Sequence, residues 1–237
     1  MNKKDLDQQS QHWENSFSNK PEMFGLDPSK AARYAKEIFE NKKIKTFFGR
    51  RTIDILELGA GLGRDTTYFA ANSNLIQVTA LDYSSEAIKN INKKKTDYNS
   101  DPKITDGKSA VDKITAKVWD VRKGIPYKDN TFDGCFSHML YCMALTTSEI
   151  IKLNKEVHRV LKPGGINIFT VRHTGDGDYK KGRHIGEDLY ENDGFIVHFF
   201  DKEKINQISK EFKIEDIFEL HEGSFPRKLF VVTQRKK

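Results

Sequence analysis

Cysteine is scarce in this sequence, and long apolar segments are missing from it. Cys135 and Cys142 are the only cysteines among the 237 residues, and they do not form a Cys-x-x-Cys pair. Two cysteines are too few for a disulfide framework or a zinc site, so we expect no metal and a reduced, cytoplasmic location. No run of eighteen apolar residues occurs, which predicts no membrane partner, and the polar N-terminal residues do not resemble a signal peptide.

Positively charged residues only slightly outnumber negatively charged ones. The chain has 40 Lys and Arg against 34 Asp and Glu, a net charge of +6. RNA is one partner that suits a basic protein, but the charges are dispersed, and the short clusters at 93–95 and 235–237 contain no aromatic residues. We interpret them as a solvated surface and expect no nucleic-acid partner. The length suits one α/β domain with a full core.

A strand followed by closely spaced glycines dominates the first half of the chain. Residues 53–58 are an apolar run typical of a buried parallel strand, and a glycine follows at every second position of 59–63, before a helix start at 65–71. Because glycine has no Cβ, such a turn lets a small ligand approach the backbone. Arg64 replaces the third glycine of a dinucleotide fingerprint, and no P-loop Lys-Ser or Lys-Thr follows. The alternative is a tight turn without a ligand.

Acidic residues end the next two predicted strands. The strand at 75–81 ends at Asp82, about 20 residues after the glycine turn, where a carboxylate accepts hydrogen bonds from both hydroxyls of an adenosine ribose. The alternative role for Asp82 is a helix cap. A third strand at 114–119 ends before Asp120, and a polar loop is predicted between these strands at 97–112.

Several motifs together resemble a known family. The string Glu-Leu-Gly-Ala-Gly-Leu-Gly at 57–63 resembles motif I of the class I S-adenosylmethionine-dependent methyltransferases, and Asp82, Asp120 and Leu-Lys-Pro-Gly-Gly at 161–165 follow in the family's order. The resemblance covers roughly residues 50–172 and implies S-adenosylmethionine as the cofactor and S-adenosylhomocysteine as its product. It also implies a Rossmann-like, doubly wound, seven-stranded α/β sheet in the order 3-2-1-4-5-7-6, mostly parallel with strand seven antiparallel.

The resemblance implies positions for the cofactor. In the family, the acidic residue after strand three receives the adenine amine and the next backbone N–H meets a ring nitrogen, which here implies Asp120 and Val121. A surface Asp at a strand end is the alternative. The expected cofactor-binding residues are Glu57, Gly59, Ala60, Gly61, Gly63, Arg64, Asp82, Tyr83, Asp120, Val121, Ser137 and His138.

The flanking segments complete one predicted domain of residues 1–237. Trp13 and Phe17 are spaced as on a helix, and Asp27 with Pro28 predicts the start of a second helix, so residues 1–45 are expected to form a helical arm and possible lid. The cofactor-binding core is assigned to 50–172. The acceptor side is assigned to 173–237, with a polar, mobile segment beginning at 172–184 and a terminal hairpin.

Methyl transfer needs alignment of the acceptor and exclusion of water, and it needs a base only if the acceptor must lose a proton. His173, directly after the predicted fifth strand at 166–171, is the first candidate base and His138 the second; a structural histidine is the alternative for either. Glu222 is a further candidate for a charged acceptor. The residues expected to contact the acceptor are Trp13, Tyr141, His173, His184, Tyr190 and Arg227.

The last third of the chain is similar to the small-molecule branch of the family, which includes the tellurite-resistance and thiopurine-type enzymes. The shared features are an aromatic-rich strand before a helix and a terminal hairpin with basic residues. This implies methyl transfer to a small molecule, with an RNA or protein methyltransferase as an alternative. Two alternatives come from other functional classes. One is a protein that binds the cofactor without turnover, and the other is a nicotinamide oxidoreductase, which Arg64 disfavours. Monomer and homodimer both stay open.

Overall fold

The computed structural model describes residues 3–20, 23–41, 52–100, 112–223 and 227–237. Six helices and ten strands lie in these ranges. The helices are α1 Lys3–Asn19, α2 Lys30–Glu40, α3 Arg64–Ala71, α4 Ser85–Ser100, α5 Thr147–Val160 and α6 Lys202–Ile208. The strands are β1 Ile53–Leu58, β2 Ile76–Asp82, β3 Ile114–Val118, β4 Phe132–Ser137, β5 Leu161–His173, β6 Arg183–Gly186, β7 Leu189–Asn192, β8 Phe195–Phe200, β9 Phe212–Glu222 and β10 Arg227–Lys236.

The sheet has the strand order that the sequence predicts. Strands β3, β2, β1, β4 and β5 are neighbours in that order and parallel. Strand β10 pairs antiparallel with β5, and β9 pairs antiparallel with β10. With β9 and β10 as the sixth and seventh strands, this is the order 3-2-1-4-5-7-6. The Rossmann-like fold is confirmed, although the strand count of seven is too low.

Three short strands account for the difference in count. Strands β6, β7 and β8 form an antiparallel meander, and β8 joins the end of β5 in parallel. The predicted mobile segment at 172–184 is therefore wrong in part, because it overlaps β5 and β6. Strands β6 and β7 have four residues each, too few for an apolar alternation to show in the sequence.

Both faces of the sheet are covered, as a buried parallel sheet requires. Successive residues of β1 point to opposite faces: Ile55 packs with α2 and α3, whereas Leu56 packs with α5 and α6. The carboxyl ends of the central strands stay free of these layers. No helix in the described part of the chain is long and apolar enough to cross a membrane.

Two helix starts show where local prediction succeeds and fails. The capping box of Thr146 and Glu149 begins α5, as the Thr-x-x-Glu pattern at 146–149 indicates. The cap of α2 is Ser29 instead of Asp27: its hydroxyl accepts from the Ala32 N–H at 2.9 Å and donates to Asp65 at 2.7 Å. The correct cap depends on Asp65, a tertiary partner that the local sequence does not contain.

The loop and the fifth strand also differ from their predicted bounds. Residues 97–100 belong to α4, and residues 101–111 of the predicted loop lie outside the described residues. Strand β5 begins at Leu161 and continues to His173, so the Leu-Lys-Pro-Gly-Gly string is part of it. A Cβ at Gly165 would come within 3.0 Å of the Asp133 carbonyl oxygen, which explains the glycine.

Candidate active site

A cavity of about 460 Å³ opens at the carboxyl ends of the central strands, beside the glycine turn. Gly59, Gly61 and Gly63 have φ angles of 68°, 52° and 76°, in the left-handed region that favours glycine. A Cβ at Gly63 would meet Ile91 of α4 at 2.5 Å, whereas the space above Gly61 stays open to the ring of Phe17 at 3.8 Å. Gly63 therefore packs the turn against α4, and Gly59, Ala60 and Gly61 line the cavity.

Two buried carboxyl groups lie at the floor of the cavity. Asp82 accepts hydrogen bonds from the Gly61 N–H at 2.8 Å and the Ser84 N–H at 2.9 Å. Glu57, only 3% exposed, accepts from the Thr66 hydroxyl at 2.6 Å. Burial, with the nearby charge of Asp65, raises the pKa of Glu57 to about 8. Burial also raises the pKa of Asp82 to about 6, although the hydrogen bonds that Asp82 accepts lower this pKa.

Three further expected cofactor residues do not line the cavity. Burial raises the pKa of Asp120, but the hydrogen bonds and the charge of Arg122 lower it below its ordinary value. The Asp120 carboxylate lies 2.7 Å from the Arg122 guanidinium. Asp120 also caps the short 3-10 helix Val121–Lys123, and Val121 packs against the core. Ser137 is fully buried in β4, and its hydroxyl has no hydrogen-bond partner among the described residues. The adenine contacts of Asp120 and Val121 stay a prediction.

Helix α1 lies over the cavity and is held by polar contacts at two points. The side-chain oxygen of Gln9 accepts from the Ile196 N–H of β8 at 2.9 Å. The carboxylate of Glu14 accepts from the hydroxyls of Ser84 and Ser85 and from the Glu86 N–H, at the start of α4. The helix is thereby tied to both sides of the opening.

Aromatic side chains form the underside of this cover. The ring of Trp13 lies 5.2 Å from Phe17, 6.1 Å from Phe24 and 5.4 Å from Phe195, centroid to centroid. Phe17 is buried and packs on Leu62 of the glycine turn and Ala87 of α4. Trp13 lines the cavity, as do His12, Tyr83 and Arg64. The helical spacing of Trp13 and Phe17 is the sequence signal for this cover; nothing local indicates Phe195.

His138 lines the cavity and contacts two strands, β5 and β9. Its Nδ1 is 3.0 Å from the Thr170 hydroxyl of β5, and its Nε2 is 2.8 Å from the Glu222 carboxylate at the end of β9. The Met139 N–H donates to the same Thr170 oxygen at 2.8 Å. Both ring nitrogens of His138 are thus engaged, and Glu222 and Arg227 line the cavity beside it.

The structure does not support His173 as the base. Its ring packs on Phe230 at 4.1 Å, its Nδ1 accepts from the Gly175 N–H, and its Nε2 lies 3.5 Å from Glu219. Because side chains alternate along a strand, it is the preceding residue, Arg172, that faces the cavity. Arg172 is 3% exposed and pairs with Asp176 at 2.5 Å. Sequence reasoning ended β5 before these two residues and missed Arg172.

Three expected acceptor residues also lie elsewhere. Tyr141 is fully buried, stacked on Phe169 at 4.5 Å, because the left-handed Met139 (φ 62°) turns the chain back into the core. His184 is exposed on β6, and its ring lies 4.9 Å from that of Tyr190. None of the three lines the cavity. The lining residues that the sequence did not indicate include Leu62, Asp65, Met143, Arg172 and Phe195.

Comparison with known proteins agrees with this architecture. Residues 56–169 match the model of the methyltransferase domain family. The chain is similar to 24-methylenesterol C-methyltransferase 2 of Arabidopsis thaliana, 25% identical over 158 residues, which cover 66% of this chain and 38% of that protein. The chain thus spans about 38% of the length of the curated relatives it matches.

Solved structures share the fold at low sequence identity. A SAM-dependent methyltransferase from Methanosarcina mazei has a TM-score of 0.63 and 22% identity, covering 78% of this chain and 93% of that chain. The 1,6-didemethyltoxoflavin-N1-methyltransferase of Burkholderia thailandensis, solved with 1,6-didemethyltoxoflavin and S-adenosylhomocysteine, has a TM-score of 0.67 and 18% identity, covering 98% and 88%.

Sheet order, glycine turn and family match together define the class. This is the Rossmann-like fold of the class I S-adenosylmethionine-dependent methyltransferases. Residues 56–169 match the methyltransferase domain family, and S-adenosylmethionine is the cofactor of the class that has this fold.

Proposed function

We propose that the protein transfers a methyl group from S-adenosylmethionine to a small molecule. The observation that carries this proposal is the cavity of about 460 Å³ between the glycine turn and α1. Its floor has buried carboxyl groups, and its cover is aromatic, so it suits a ligand that combines hydroxyls, a flat base and a positive charge. Since α1 lies over the opening, we infer that the acceptor is small.

The lining residues fit the cofactor in their chemistry. Asp82 is placed at the end of β2, where a carboxylate accepts hydrogen bonds from ribose hydroxyls. A buried Glu57 with a pKa of about 8 is costly to ionise alone, and a cationic ligand relieves that cost. Gly61 leaves open space where a Cβ would narrow the cavity. When bound, the cofactor supplies an electrophilic methyl group on a sulfonium.

The chain's own task is then to position the acceptor and exclude water. Trp13, Phe17 and Phe24 cover the cavity with apolar surface. His138 and Glu222 supply polar groups to the cavity wall, where we place the acceptor. We further propose that residues 1–45 serve as the arm and lid, 50–172 as the cofactor-binding core, and 173–237 as the acceptor side.

The names of the relatives support a small acceptor. The curated relatives are methyltransferases of 24-methylenesterol, and one solved neighbour is a methyltransferase of 1,6-didemethyltoxoflavin. Methylation of RNA is the alternative. It predicts RNA binding that weakens steeply as salt is raised, because cationic side chains would replace counterions on the phosphates. RNA binding with that salt dependence would favour the alternative.

Calorimetric titration with S-adenosylmethionine, S-adenosylhomocysteine and NAD tests the cofactor assignment. We expect binding of the first two and none of NAD. Binding of NAD alone would support an oxidoreductase, and binding of neither adenosyl compound to folded protein would contradict the proposal. A protein that binds S-adenosylmethionine but methylates nothing in any extract would be the non-catalytic binder.

A further inference from the structure

We propose that Glu222 is the acceptor-binding carboxylate and that it selects a small apolar amine; this inference rests on the proposed methyl transfer. Glu222 ends β9 and lines the cavity, with 22% of its side chain exposed. Its cross-strand partner in the hairpin is Arg227, a cation within easy reach. Its carboxylate nevertheless turns to His138, at 2.8 Å, and so faces the inside of the cavity.

A relay of hydrogen bonds fixes this orientation. The Met139 N–H donates to the Thr170 hydroxyl oxygen at 2.8 Å, and that hydroxyl lies 3.0 Å from Nδ1 of His138. Nδ1 lies against the Thr170 hydroxyl, and Nε2 donates to the Glu222 carboxylate, which accepts only. His138 thus has no free nitrogen for an acceptor. It is a positioning residue, and Glu222 is the group that the acceptor meets.

The charge of Glu222 identifies the kind of acceptor. Although burial raises the pKa of Glu222, the hydrogen bond and charge of His138 and the charges of Arg64 and Arg227 lower it below the ordinary value. The carboxylate is therefore ionised at neutral pH and is a weak base. It suits an amine, which binds beside the carboxylate as an ammonium ion and again carries positive charge after methylation. A hydroxyl acceptor would need a stronger base.

Apolar side chains form part of the cavity wall. Met139, Met143 and Phe195 line it, and the ring of His12 lies 5.6 Å from that of Phe195. The buried Arg172 is compensated by Asp176 and Asp178, at 2.5 and 2.7 Å. An amine carried on a flat or otherwise apolar body matches both the apolar walls and the anionic carboxylate.

The transfer step balances with the groups named. The bound ammonium first loses one proton to solvent, and the lone pair so freed forms the new N–C bond while the C–S bond breaks and its electron pair stays on sulfur. The positive charge moves from the sulfonium to the nitrogen, next to the Glu222 carboxylate. The product is an ammonium ion, which is the stable form of an amine at neutral pH, so no other co-reactant is needed.

Sinefungin, which carries an amine where the cofactor carries its transferable methyl, probes this charge without a known acceptor. We expect the wild-type protein to bind sinefungin more tightly than S-adenosylhomocysteine, and Glu222→Gln to reduce that preference on the order of tenfold. Glu219→Gln is the matched control, because Glu219 lies on the same strand and pairs with Lys228 outside the cavity. An unchanged preference in folded Glu222→Gln protein would overturn the assignment.

A second arm tests the class of acceptor and the role of His138. With S-adenosylhomocysteine bound, the wild type should bind benzylamine on the order of tenfold more tightly than benzyl alcohol, and Glu222→Gln should equalise the two. His138→Ala should reduce this discrimination, and His138→Gln, which retains an N–H, should restore part of it. Equal binding by the wild type would overturn the amine assignment. Failure of the wild type to bind any adenosyl compound would instead refute the proposed function on which it rests.

Discussion

At the scale of the residue, the two acidic positions of the cavity floor differ in what holds them. Asp82 is fixed by two backbone N–H groups, from Gly61 and Ser84, so its position is set by the turn and by the start of α4. Glu57 has the Thr66 hydroxyl as its partner and lies near the carboxylates of Asp65 and Asp82. Asp82 is therefore positioned to accept hydrogen bonds, whereas the ionised form of Glu57 is stabilised by a nearby cation.

Replacing Asp82 tests the ribose assignment. Asp82→Ala should weaken the binding of S-adenosylmethionine by about 1–3 kcal/mol, because it removes charge-assisted hydrogen bonds to the ribose hydroxyls. Calorimetric titration measures the loss. Asp216→Ala is the control, since Asp216 is an exposed residue of β9 far from the lining. Unchanged affinity in folded Asp82→Ala protein would remove this assignment.

The raised pKa of Glu57 predicts a pH dependence of stability. The folded protein holds a proton on Glu57 up to pH about 8, whereas the unfolded chain loses it near the ordinary value of 4.5. The folded state therefore binds more protons in between, and the ligand-free protein should lose stability as pH rises through this window. Melting temperatures between pH 6.5 and 8.5 measure it. Glu57→Gln, which keeps the shape without the charge, should flatten the slope; an equally steep slope would contradict the account.

At the scale of the element, the structure gives α1 the role of a cover. It contacts the rest of the protein through Gln9 on β8, Glu14 on the start of α4, and the rings of Trp13 and Phe17. The start of α4 follows Asp82 directly, so the Glu14 contact lies next to the proposed ribose position. We infer that closing of α1 and binding of the cofactor stabilise each other.

Removing the Glu14 contact should therefore change how long the cofactor stays bound, although Glu14 itself is not among the residues proposed to contact it. Glu14→Ala leaves the hydroxyls of Ser84 and Ser85 without this partner, and we expect S-adenosylhomocysteine to dissociate about fivefold faster. Stopped-flow displacement measures the rate, and hydrogen exchange should show weaker protection in α1. The exposed Glu37→Ala in α2 is the control. If Glu14→Ala protein releases the ligand at the wild-type rate, the cover does not control access.

The elements that the sequence predicts are those with a strong local signal. The apolar run of β1, the glycine turn, the capping box of α5 and the Asp201 cap of α6 all have their signals in neighbouring residues. The Ser29 cap and the β6–β7–β8 meander were not, because they depend on distant partners or are too short for periodicity.

The same distinction applies to the site. Glu57, Ala60, Asp82 and Tyr83 line the cavity as the motif position implies. His173 and Tyr141 were placed by counting from a predicted strand end, and the actual end of β5 and the left-handed turn at Met139 move them out. Because side chains alternate along a strand, an error of one residue moves a side chain from the cavity face to the opposite face of the sheet.

At the scale of the whole molecule, the terminal segments complete a site whose floor lies in the central domain. Helix α1 supplies the cover, and the β9–β10 hairpin brings Glu222 and Arg227 to the end of the cavity that holds His138. The strand order places β10 against β5, so the hairpin end meets the carboxyl end of the parallel strands. Residues distant in the chain thereby line one cavity of about 460 Å³.

The central claim is methyl transfer to a small molecule, and labelled S-adenosylmethionine tests it most directly. The protein is incubated with methyl-labelled cofactor and an extract of the source cells that has been separated into small molecules, RNA and protein. We predict label in the small-molecule fraction, and much less of it with Asp82→Ala. Label confined to RNA or protein, or no transfer to any fraction by protein that binds the cofactor, would contradict the account.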